Sequence, residues 1–480
     1  MESIWNKTAK PAPRPSLPGD LRTQAAVIGG GMAGILTARL LQDSGVETVV
    51  LEAGRMGGGQ TGNTTAKVTA QHGAVYGRLI RELGRDAALQ YADAQVRAIG
   101  AYEELIRKLD ISCGWRRLPA WLATAGDPAP MEEEAAAAQE LGLPARFLPR
   151  PELPFPASAG VELPDQALFH PLEFLSGAAR GLTVYENTRV TQVEGNRVVT
   201  LLGTVEAKSV IFACHFPFLR LPGYFFLRMH QEHSYILALE NAPPPPAMVY
   251  TVDPGGLSLR PWGDSLLVGG AGHPAGQNSA GGRYRELVSL ARQYWPGCRE
   301  AARWSAQDCM TLDGVPYIGE FSPSHPGWYV ATGFGKWGMT NSMAAAMILR
   351  GRITGQPVPW EGVFSPGRFR LSPSAKTLAE HTVQAAKGLG RRFLVPPRAL
   401  VEQLPPGHGG IVEVDGEKLG VYKNDAGEFF AVDPHCPHLG CQVEWNPDEK
   451  SWDCPCHGSR FDHLGRLLDG PAQEGLPTAP

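Results

Sequence analysis

The chain has 480 residues, 43% of them apolar and 19% charged, so it is long enough for two or more domains and has an ordinary globular composition. The net charge of −4 argues against a surface that coats nucleic acid, and no apolar run reaches the ~18 residues of a membrane span. The polar, proline-rich N-terminus is expected to be a surface arm, not a signal peptide. Scattered cysteines predict free thiols in a reducing compartment, and therefore a cytoplasmic protein; they are Cys113, Cys214, Cys298 and Cys309.

The first motif lies within residues 25–55. An apolar strand leads into a Gly-x-Gly-x-x-Gly turn, a helix follows, and a second strand ends in Glu52. The three glycines allow the backbone to approach a pyrophosphate at the helix N-terminus, and Glu52 can accept hydrogen bonds from ribose hydroxyls. The pattern predicts a dinucleotide site. The alternative is a glycine-rich turn that serves only helix–strand packing.

The residues that follow favour FAD over NAD. Small and hydroxyl-bearing residues at 56–73 suit close passage along a ribityl chain and a flavin ring. Residues 208–214 have the character of a buried strand, and residues 327–351 form a strand, a glycine loop and a helix whose positive end faces the loop. The predicted FAD contacts are Gly29, Gly31, Gly34, Glu52, Arg55, Thr64, Thr65, Val190, Gly333, Gly335, Lys336, Gly338, Met339 and Thr340.

Together with residues 310–321 and 329–340, the fingerprint resembles the FAD-dependent amine oxidoreductases of the D-amino-acid oxidase/glycine oxidase type. The resemblance spans about residues 20–360. It implies an α/β, Rossmann-like FAD domain with an inserted α+β substrate domain, together occupying residues 1–362. The expected FAD parts are about 20–80, 150–215 and 305–362, and the expected substrate parts are about 81–149 and 216–304.

The same resemblance implies oxidation of a C–N bond in a small amine or amino-acid substrate. Three residues are candidates for catalysis. Lys336, in the glycine loop, is expected to stabilise negative charge on the reduced flavin. Arg260, on a predicted substrate-domain strand, could clamp a carboxylate, and His72 ends a segment expected beside the flavin ring. For Arg260 and His72, an ordinary structural side chain is the alternative.

A second motif crowds four cysteines and two histidines into residues 436–459. Cys436-x-His438 and Cys454-x-x-His457 supply two thiolates and two imidazoles, which is the ligand set of a Rieske [2Fe–2S] centre. A structural zinc site is the alternative, although it leaves two cysteines unexplained.

The full pattern resembles Rieske proteins of the cytochrome bc-complex type. That resemblance implies a disulfide between Cys441 and Cys456 that bridges the two cluster loops. Ser459 remains as a donor to a cluster sulfur, but Phe461 stands where those proteins usually carry a tyrosine that also donates. Because such hydrogen bonds stabilise the reduced cluster, the missing donor predicts a lower reduction potential.

Alternating apolar and polar residues around the second motif predict a small all-β Rieske domain at 399–480. Residues 363–398 are expected to be a basic linker with a helix at 372–390. Whether this linker docks on the acidic C-terminal domain or is simply a solvated charged segment stays open.

The combination of motifs resembles bacterial FAD-dependent oxidoreductases with a C-terminal Rieske domain. A flavin accepts two electrons and a [2Fe–2S] cluster carries one, so the pair predicts single-electron transfer to an external acceptor, a protein or a quinone. His438 and His457 could present a free ring edge to that acceptor. The alternatives are an NAD(P)H-fed flavin/Rieske reductase component, for which a second dinucleotide fingerprint is missing, and a redox-sensing, partner-binding protein.

Overall fold

The computed structural model describes residues 1–368 and 401–479. The helix predicted at 372–390, and most of the basic linker around it, lie outside these residues. Within the described ranges, no helix combines the length and the apolar character needed to cross a membrane.

Residues 1–368 contain two large sheets and the helices that cover them. The strands are β1 (Leu21–Ile28), β2 (Thr48–Leu51), β3 (Lys67–Val68), β4 (Arg116–Thr124), β5 (Arg146–Pro149), β6 (Ala159–Leu168), β7 (Thr183–Tyr185), β8 (Val190–Glu194), β9 (Arg197–Thr200), β10 (Gly203–Phe212), β11 (Met229–Glu240), β12 (Met248–Thr251), β13 (Ser258–Trp262), β14 (Ser265–Pro274), β15 (Arg299–Thr311), β16 (Tyr317–Glu320) and β17 (Trp328–Thr332). The helices are α1 (Ile4–Thr8), α2 (Met32–Asp43), α3 (Gln60–Asn63), α4 (Tyr76–Leu83), α5 (Arg85–Leu109), α6 (Ala129–Glu140), α7 (Pro171–Ala178), α8 (Phe225–Arg228), α9 (Arg283–Tyr294), α10 (Gly338–Thr354) and α11 (Glu361–Phe364).

The first sheet has the strand order β16-β17-β10-β1-β2-β7, with β9 paired to β10 and β8 to β9. Strand β1 pairs in parallel with β2 and β10. Its residues 25–28 are all buried apolar residues, as expected for a central parallel strand covered on both faces. Helices α2 and α10 pack against each other. Strands β1 and β17, which precede them, both pair in parallel with β10, so the turn before α2 and the glycine loop before α10 lie at the same edge of the sheet.

The second sheet has the order β15-β11-β14-β13-β12-β4-β6-β3, with β5 paired to β6, and is largely antiparallel. Strand β6 belongs to it, although residues 150–215 were expected in the FAD part. The inserted α+β substrate domain implied by the family resemblance is therefore present, and it is built on this second sheet.

The N-terminus is not a surface arm throughout, so the expectation is wrong for residues 3–8. Helix α1 packs against the segment that follows the nucleotide-binding turn. Its Trp5 is fully buried and donates from the indole nitrogen to the carbonyl oxygen of Thr64 at 2.6 Å. The Ser3 hydroxyl donates to the carbonyl of Gly62 at 2.5 Å.

The C-terminal domain is all-β, as predicted. After a 3₁₀ helix (Val401–Gln403), one sheet contains β18 (Gly409–Val414), β19 (Glu417–Lys423) and β20 (Phe429–Val432), and the other contains β21 (Glu444–Asn446), β22 (Ser451–Asp453), β23 (Arg460–Asp462) and β24 (Leu467–Asp469). All pairings are antiparallel. Its core includes the fully buried rings of Trp452 and Phe461.

Candidate active site and cluster site

The Gly-x-Gly-x-x-Gly turn adopts the conformation that its glycines permit. Gly29 has a φ of +112°, and a Cβ there would lie 2.5 Å from the carbonyl oxygen of Ala213. A Cβ on Gly34 would lie 1.9 Å from the carbonyl oxygen of Gly29. Gly31 is the N-cap residue of α2 and has no side-chain cap of its own. The N–H of Met32, the first of α2, donates to the Thr61 hydroxyl at 2.9 Å, so it is the next N–H groups of the first turn that can bind an anion.

Glu52 ends β2 beside this turn. Its carboxylate oxygens accept hydrogen bonds from the backbone N–H groups of Gly30 at 2.7 Å and Gly54 at 2.8 Å. Burial raises the pKa of Glu52, while the two N–H groups oppose that shift. The carboxylate is thereby fixed at the end of the strand, where a ribose would lie in a nucleotide complex.

A cavity of about 1150 Å³ runs from the turn to the second sheet. Of the fourteen predicted FAD contacts, twelve line it: Gly29, Gly31, Glu52, Arg55, Thr64, Thr65, Val190, Gly333, Gly335, Lys336, Gly338 and Met339. Gly34 instead packs on Gly29, and Thr340 is buried with its hydroxyl donating to Thr69 at 3.1 Å. A helix N-terminus, an acidic strand end and a glycine loop along one elongated cavity fit FAD.

Lys336 reaches the substrate-domain side of this cavity. Its ammonium group lies 3.1 Å from Glu232 and 3.5 Å from Asp308. Burial alone would lower the pKa of Lys336, but Asp308 and Glu232 outweigh it and raise the pKa. A hydrogen bond with His230, together with Lys336, holds the pKa of Glu232 at about 2. Lys336 is therefore a fixed cation beside the predicted flavin position.

The other two catalytic candidates lie outside the cavity lining. His72 is buried, with ring nitrogens 2.6 Å from the Tyr91 hydroxyl and 2.7 Å from the Thr69 carbonyl, and burial lowers its pKa to about 3. Arg260 is fully buried and donates to the carbonyl of Phe169 at 2.7 Å. The structure brings neither residue to the cavity, because both are held in the packing behind it.

Sequence reasoning missed Lys67, which does line the cavity. Its side chain is 8% exposed and bonds Val249 and Ser258 of the second sheet. The sequence signal that could have indicated Lys67 is a single lysine in the otherwise apolar and hydroxyl-bearing segment 64–70. Its hydrogen-bond partners lie more than 180 residues away, so no local pattern indicated its position in the cavity.

The four predicted cluster ligands come together at the tips of two loops of the C-terminal domain. The thiols of Cys436 and Cys454 are buried and hydrogen-bonded to each other. The rings of His438 and His457 meet edge-to-face, with centroids 4.9 Å apart. The Nδ1 atoms of both rings are buried and have no hydrogen-bond partner. Two adjacent thiols and two unsatisfied imidazole nitrogens fit the donor set of a Rieske cluster.

Cys441 and Cys456 form a disulfide in the structure. Its two sulfur atoms and that of Cys454 lie within 4.8 Å of one another, so the bridge flanks the ligand loops as the resemblance implied. The four cysteines outside this motif are free thiols, in agreement with the sequence analysis; they are Cys113, Cys214, Cys298 and Cys309.

The two domains dock through buried polar contacts next to the cluster loops. The Gln231 side-chain amide donates to the carbonyl of His457 at 2.7 Å and to that of Gly470 at 3.2 Å. The Gln307 amide donates to the carbonyl of Gly458 at 2.7 Å. Gly458 must be a glycine here, because its φ is +78° and a Cβ would lie 2.7 Å from the Gln231 side chain.

The histidine rings face the oxidoreductase domain. His438 and His457 are each 5% exposed, and the ring of Phe226 lies 6.3 Å and 5.8 Å from theirs. Arg220 also donates to the carbonyl of His438. The expectation that these rings present a free edge to an external partner is therefore wrong for this docked arrangement, because loop 216–228, which includes the short helix α8, covers them.

One residue of that loop belongs to both sites. Phe216 lines the large cavity, and its ring lies 6.4 Å from the ring of His457. From the other side, residues 467–473 of the C-terminal domain line the same cavity. Phe216 therefore borders the cavity and lies next to a predicted cluster ligand.

Comparison with known proteins gives two family matches. Residues 24–352 match the family described as FAD dependent oxidoreductase, and residues 396–480 match the Rieske [2Fe-2S] domain. A putative Rieske 2Fe-2S iron-sulfur protein, YhfW of Bacillus subtilis, is 33% identical over 492 residues, covering 99% of this chain and 97% of that protein. A cytochrome b6-f complex iron-sulfur subunit of Nostoc sp. is 30% identical over 112 residues, covering 23% of this chain and 62% of that subunit.

Solved structures share the fold of the larger part. The crystal structure of glycine oxidase from Geobacillus kaustophilus has a TM-score of 0.60 at 19% identity and covers 73% of this chain and 99% of its own. That of L-proline dehydrogenase from P. horikoshii has a TM-score of 0.60 at 18% identity and covers 74% of this chain and 98% of its own. These similarities concern the fold alone.

Proposed function

Because the chain belongs to the family of FAD-dependent oxidoreductases and carries a C-terminal Rieske [2Fe-2S] domain, we propose that it oxidises a C–N bond of an amine or amino acid and delivers the electrons singly to an external acceptor. When bound, FAD takes two electrons from the substrate as a hydride, and the [2Fe–2S] cluster carries one at a time. The acceptor is a protein or a quinone, and the chain acts in the cytoplasm.

The residues that hold FAD in this proposal are those of the glycine turn, Glu52 and the glycine loop before α10. Lys336 supplies a positive charge where negative charge develops, and its pairing with Glu232 and Asp308 keeps it in place. The substrate occupies the side of the cavity formed by the second sheet. Cys436, His438, Cys454 and His457 ligate the cluster.

The observation that carries the electron-transfer part is the position of Phe216. Phe216 lines the cavity, its ring lies 6.4 Å from the His457 ring, and the buried glutamine contacts hold the two domains together beside it. This proximity favours direct transfer between the two centres within one chain. An NAD(P)H-fed reductase requires, in addition, a second nucleotide site.

The test is anaerobic mixing of the full-length protein with glycine, L-proline, iminodiacetate, N-methyl amines and polyamines, followed by flavin absorbance. We expect at least one of these compounds to bleach the flavin faster than NADH or NADPH does. Reduction by NADH or NADPH alone would replace the proposal with the reductase function. Failure of every compound, together with redox-dependent binding of a partner, would favour a sensor.

A further inference from the structure

Lys67 is a buried amine on the wall of the FAD and substrate cavity that the proposed chemistry does not yet use. It begins β3, two residues after Thr65, and lines the cavity. Its Nζ lies 2.8 Å from the carbonyl oxygen of Val249 on β12 and 2.6 Å from the hydroxyl of Ser258 on β13. Both partners are neutral.

The charges around Lys67 differ from those around Lys336, the second lysine of the cavity. Lys336 is paired with two carboxylates, whereas the charged group that acts on Lys67 is the guanidinium of Arg260 on β13. Burial first, and Arg260 second, lower the pKa of Lys67 to about 7. One lysine of the cavity is thus a permanent cation, and the other can be neutral at physiological pH.

The hydrogen bonds of Lys67 leave room for a proton. A neutral lysine has two N–H bonds and one lone pair, and a charged one has three N–H bonds. Donation to Val249 and Ser258 uses two N–H bonds, so the lone pair remains for a third partner. Because Lys67 lines the cavity, a molecule bound there is the candidate for this third partner.

We propose that Lys67 is a catalytic residue whose neutral Nζ takes the proton of the substrate ammonium group before the C–N bond is oxidised. This inference rests on the proposed function, since an amine enters as an ammonium ion and its nitrogen lone pair must be free for the adjacent C–H bond to break as a hydride. The substrate N–H bond breaks, the third N–H bond of Lys67 forms, and one positive charge moves from substrate to lysine. No electrons are transferred in this step.

The experiment measures the pH dependence of anaerobic flavin reduction in the full-length protein loaded with FAD and cluster. Glycine, L-proline and iminodiacetate are the probes, and wild type is compared with Lys67→Met, Lys67→Arg and the exposed control Lys208→Met. In wild type and Lys208→Met, the rate should rise through about pH 7, as Lys67 loses its proton. Lys67→Met should lose about 10²- to 10⁴-fold in the rate of flavin reduction, the usual contribution of a general base. Its rate should not rise through pH 7.

Lys67→Arg should behave like Lys67→Met, because arginine does not give up its proton at these pH values. Titration of the substrate amine at higher pH should appear in every variant. If Lys67→Met does not retain FAD, Ser258→Ala serves in its place. The charged Nζ then loses a hydrogen-bond acceptor, which lowers the pKa of Lys67, so the rise in the rate of flavin reduction should move to lower pH.

A step near pH 7 that persists in Lys67→Met, or that does not move in Ser258→Ala, would overturn the role of Lys67. If none of the three probes reduces the flavin in wild type, the N-methyl amine or polyamine that does so takes their place. Wild-type flavin that no compound of this whole panel reduces would instead overturn the proposed function on which this inference rests. The two failures are thus distinguishable.

Discussion

Ser459 connects the cluster loops to the wall of the cavity. Its hydroxyl is hydrogen-bonded to the sulfur of Cys436 and accepts a bond from the backbone N–H of Ala472 at 3.0 Å. Two residues later, Phe461 is fully buried and offers no polar atom to the ligand sulfurs. At the scale of single residues, the cluster environment therefore supplies the serine donor but not the tyrosine donor of the Rieske proteins that it resembles.

Restoring this donor tests the account of the cluster potential. Phe461→Tyr should raise the reduction potential, because a hydroxyl that donates to a ligand sulfur stabilises the reduced cluster. One net hydrogen bond of about 1 kcal/mol corresponds to about 40 mV for a one-electron couple. An EPR-monitored redox titration measures the shift, and Ser459→Ala should move the potential in the opposite direction. An unchanged potential in both variants would contradict this account.

Single residues also show what the sequence could predict. The glycines of the turn and the cluster-ligand motifs are local patterns, so their spacing along the chain was enough to predict a nucleotide site and a cluster site. The Cys441–Cys456 pairing followed from family resemblance. The sequence placed Arg260 on a strand but did not show which face of the strand meets the cavity. The partners of Lys67 lie 182 and 191 residues away, and no local pattern encodes such contacts.

At the scale of elements, the turn between β1 and α2 is the most constrained part of the nucleotide site. Gly34→Ala should abolish FAD binding, since the new methyl group would lie 1.9 Å from the Gly29 carbonyl oxygen and force the turn open. FAD content after purification measures the effect. The matched control is Gly100→Ala in α5, where nothing lies within 4 Å of the added methyl. It should keep FAD and stabilise the helix by about 0.5–1 kcal/mol, and equal FAD content in the two variants would contradict the prediction.

Strands β11 and β15 carry the contacts that dock the C-terminal domain, because Gln231 and Gln307 lie on them and bond the cluster loop. Replacing both by alanine should leave iron and FAD content unchanged but slow electron transfer from flavin to cluster several-fold. The double replacement removes three hydrogen bonds between the domains, each contributing about 1 kcal/mol. Stopped-flow absorbance measures the rate. Gln192→Ala, at an exposed position of β8, is the control, and a double variant with unchanged transfer would contradict the docking role.

At the scale of the whole molecule, the cavity belongs to both domains. Sequence motifs predicted the two cofactor domains separately, because each motif is contiguous, but they carried no information on docking. The docked arrangement buries His438 and His457 against loop 216–228 and places residues 467–473 on the cavity wall. Contacts between residues far apart in sequence, such as Gln231 with His457 and Gln307 with Gly458, hold this arrangement.

Removal of the C-terminal domain after residue 398 tests whether both domains are needed to form the cavity. The glycine oxidase of similar fold consists of the corresponding part alone, so the fragment should fold and bind FAD. We expect weaker FAD binding than in the full chain, because the cavity loses residues 467–473, and we expect loss of turnover with one-electron acceptors. Ultrafiltration measures FAD release. Equal FAD affinity in the fragment and the full chain would contradict a role of residues 467–473 in FAD binding.

In the proposed function, electrons from substrate reach the flavin first and the cluster second. Anaerobic stopped-flow with the amine that bleaches the flavin, recorded at flavin and Rieske wavelengths in the full-length protein, tests it most directly. We expect fast bleaching of the flavin, followed by reduction of the cluster at the expense of reduced flavin. Reduction of the cluster before the flavin would contradict it.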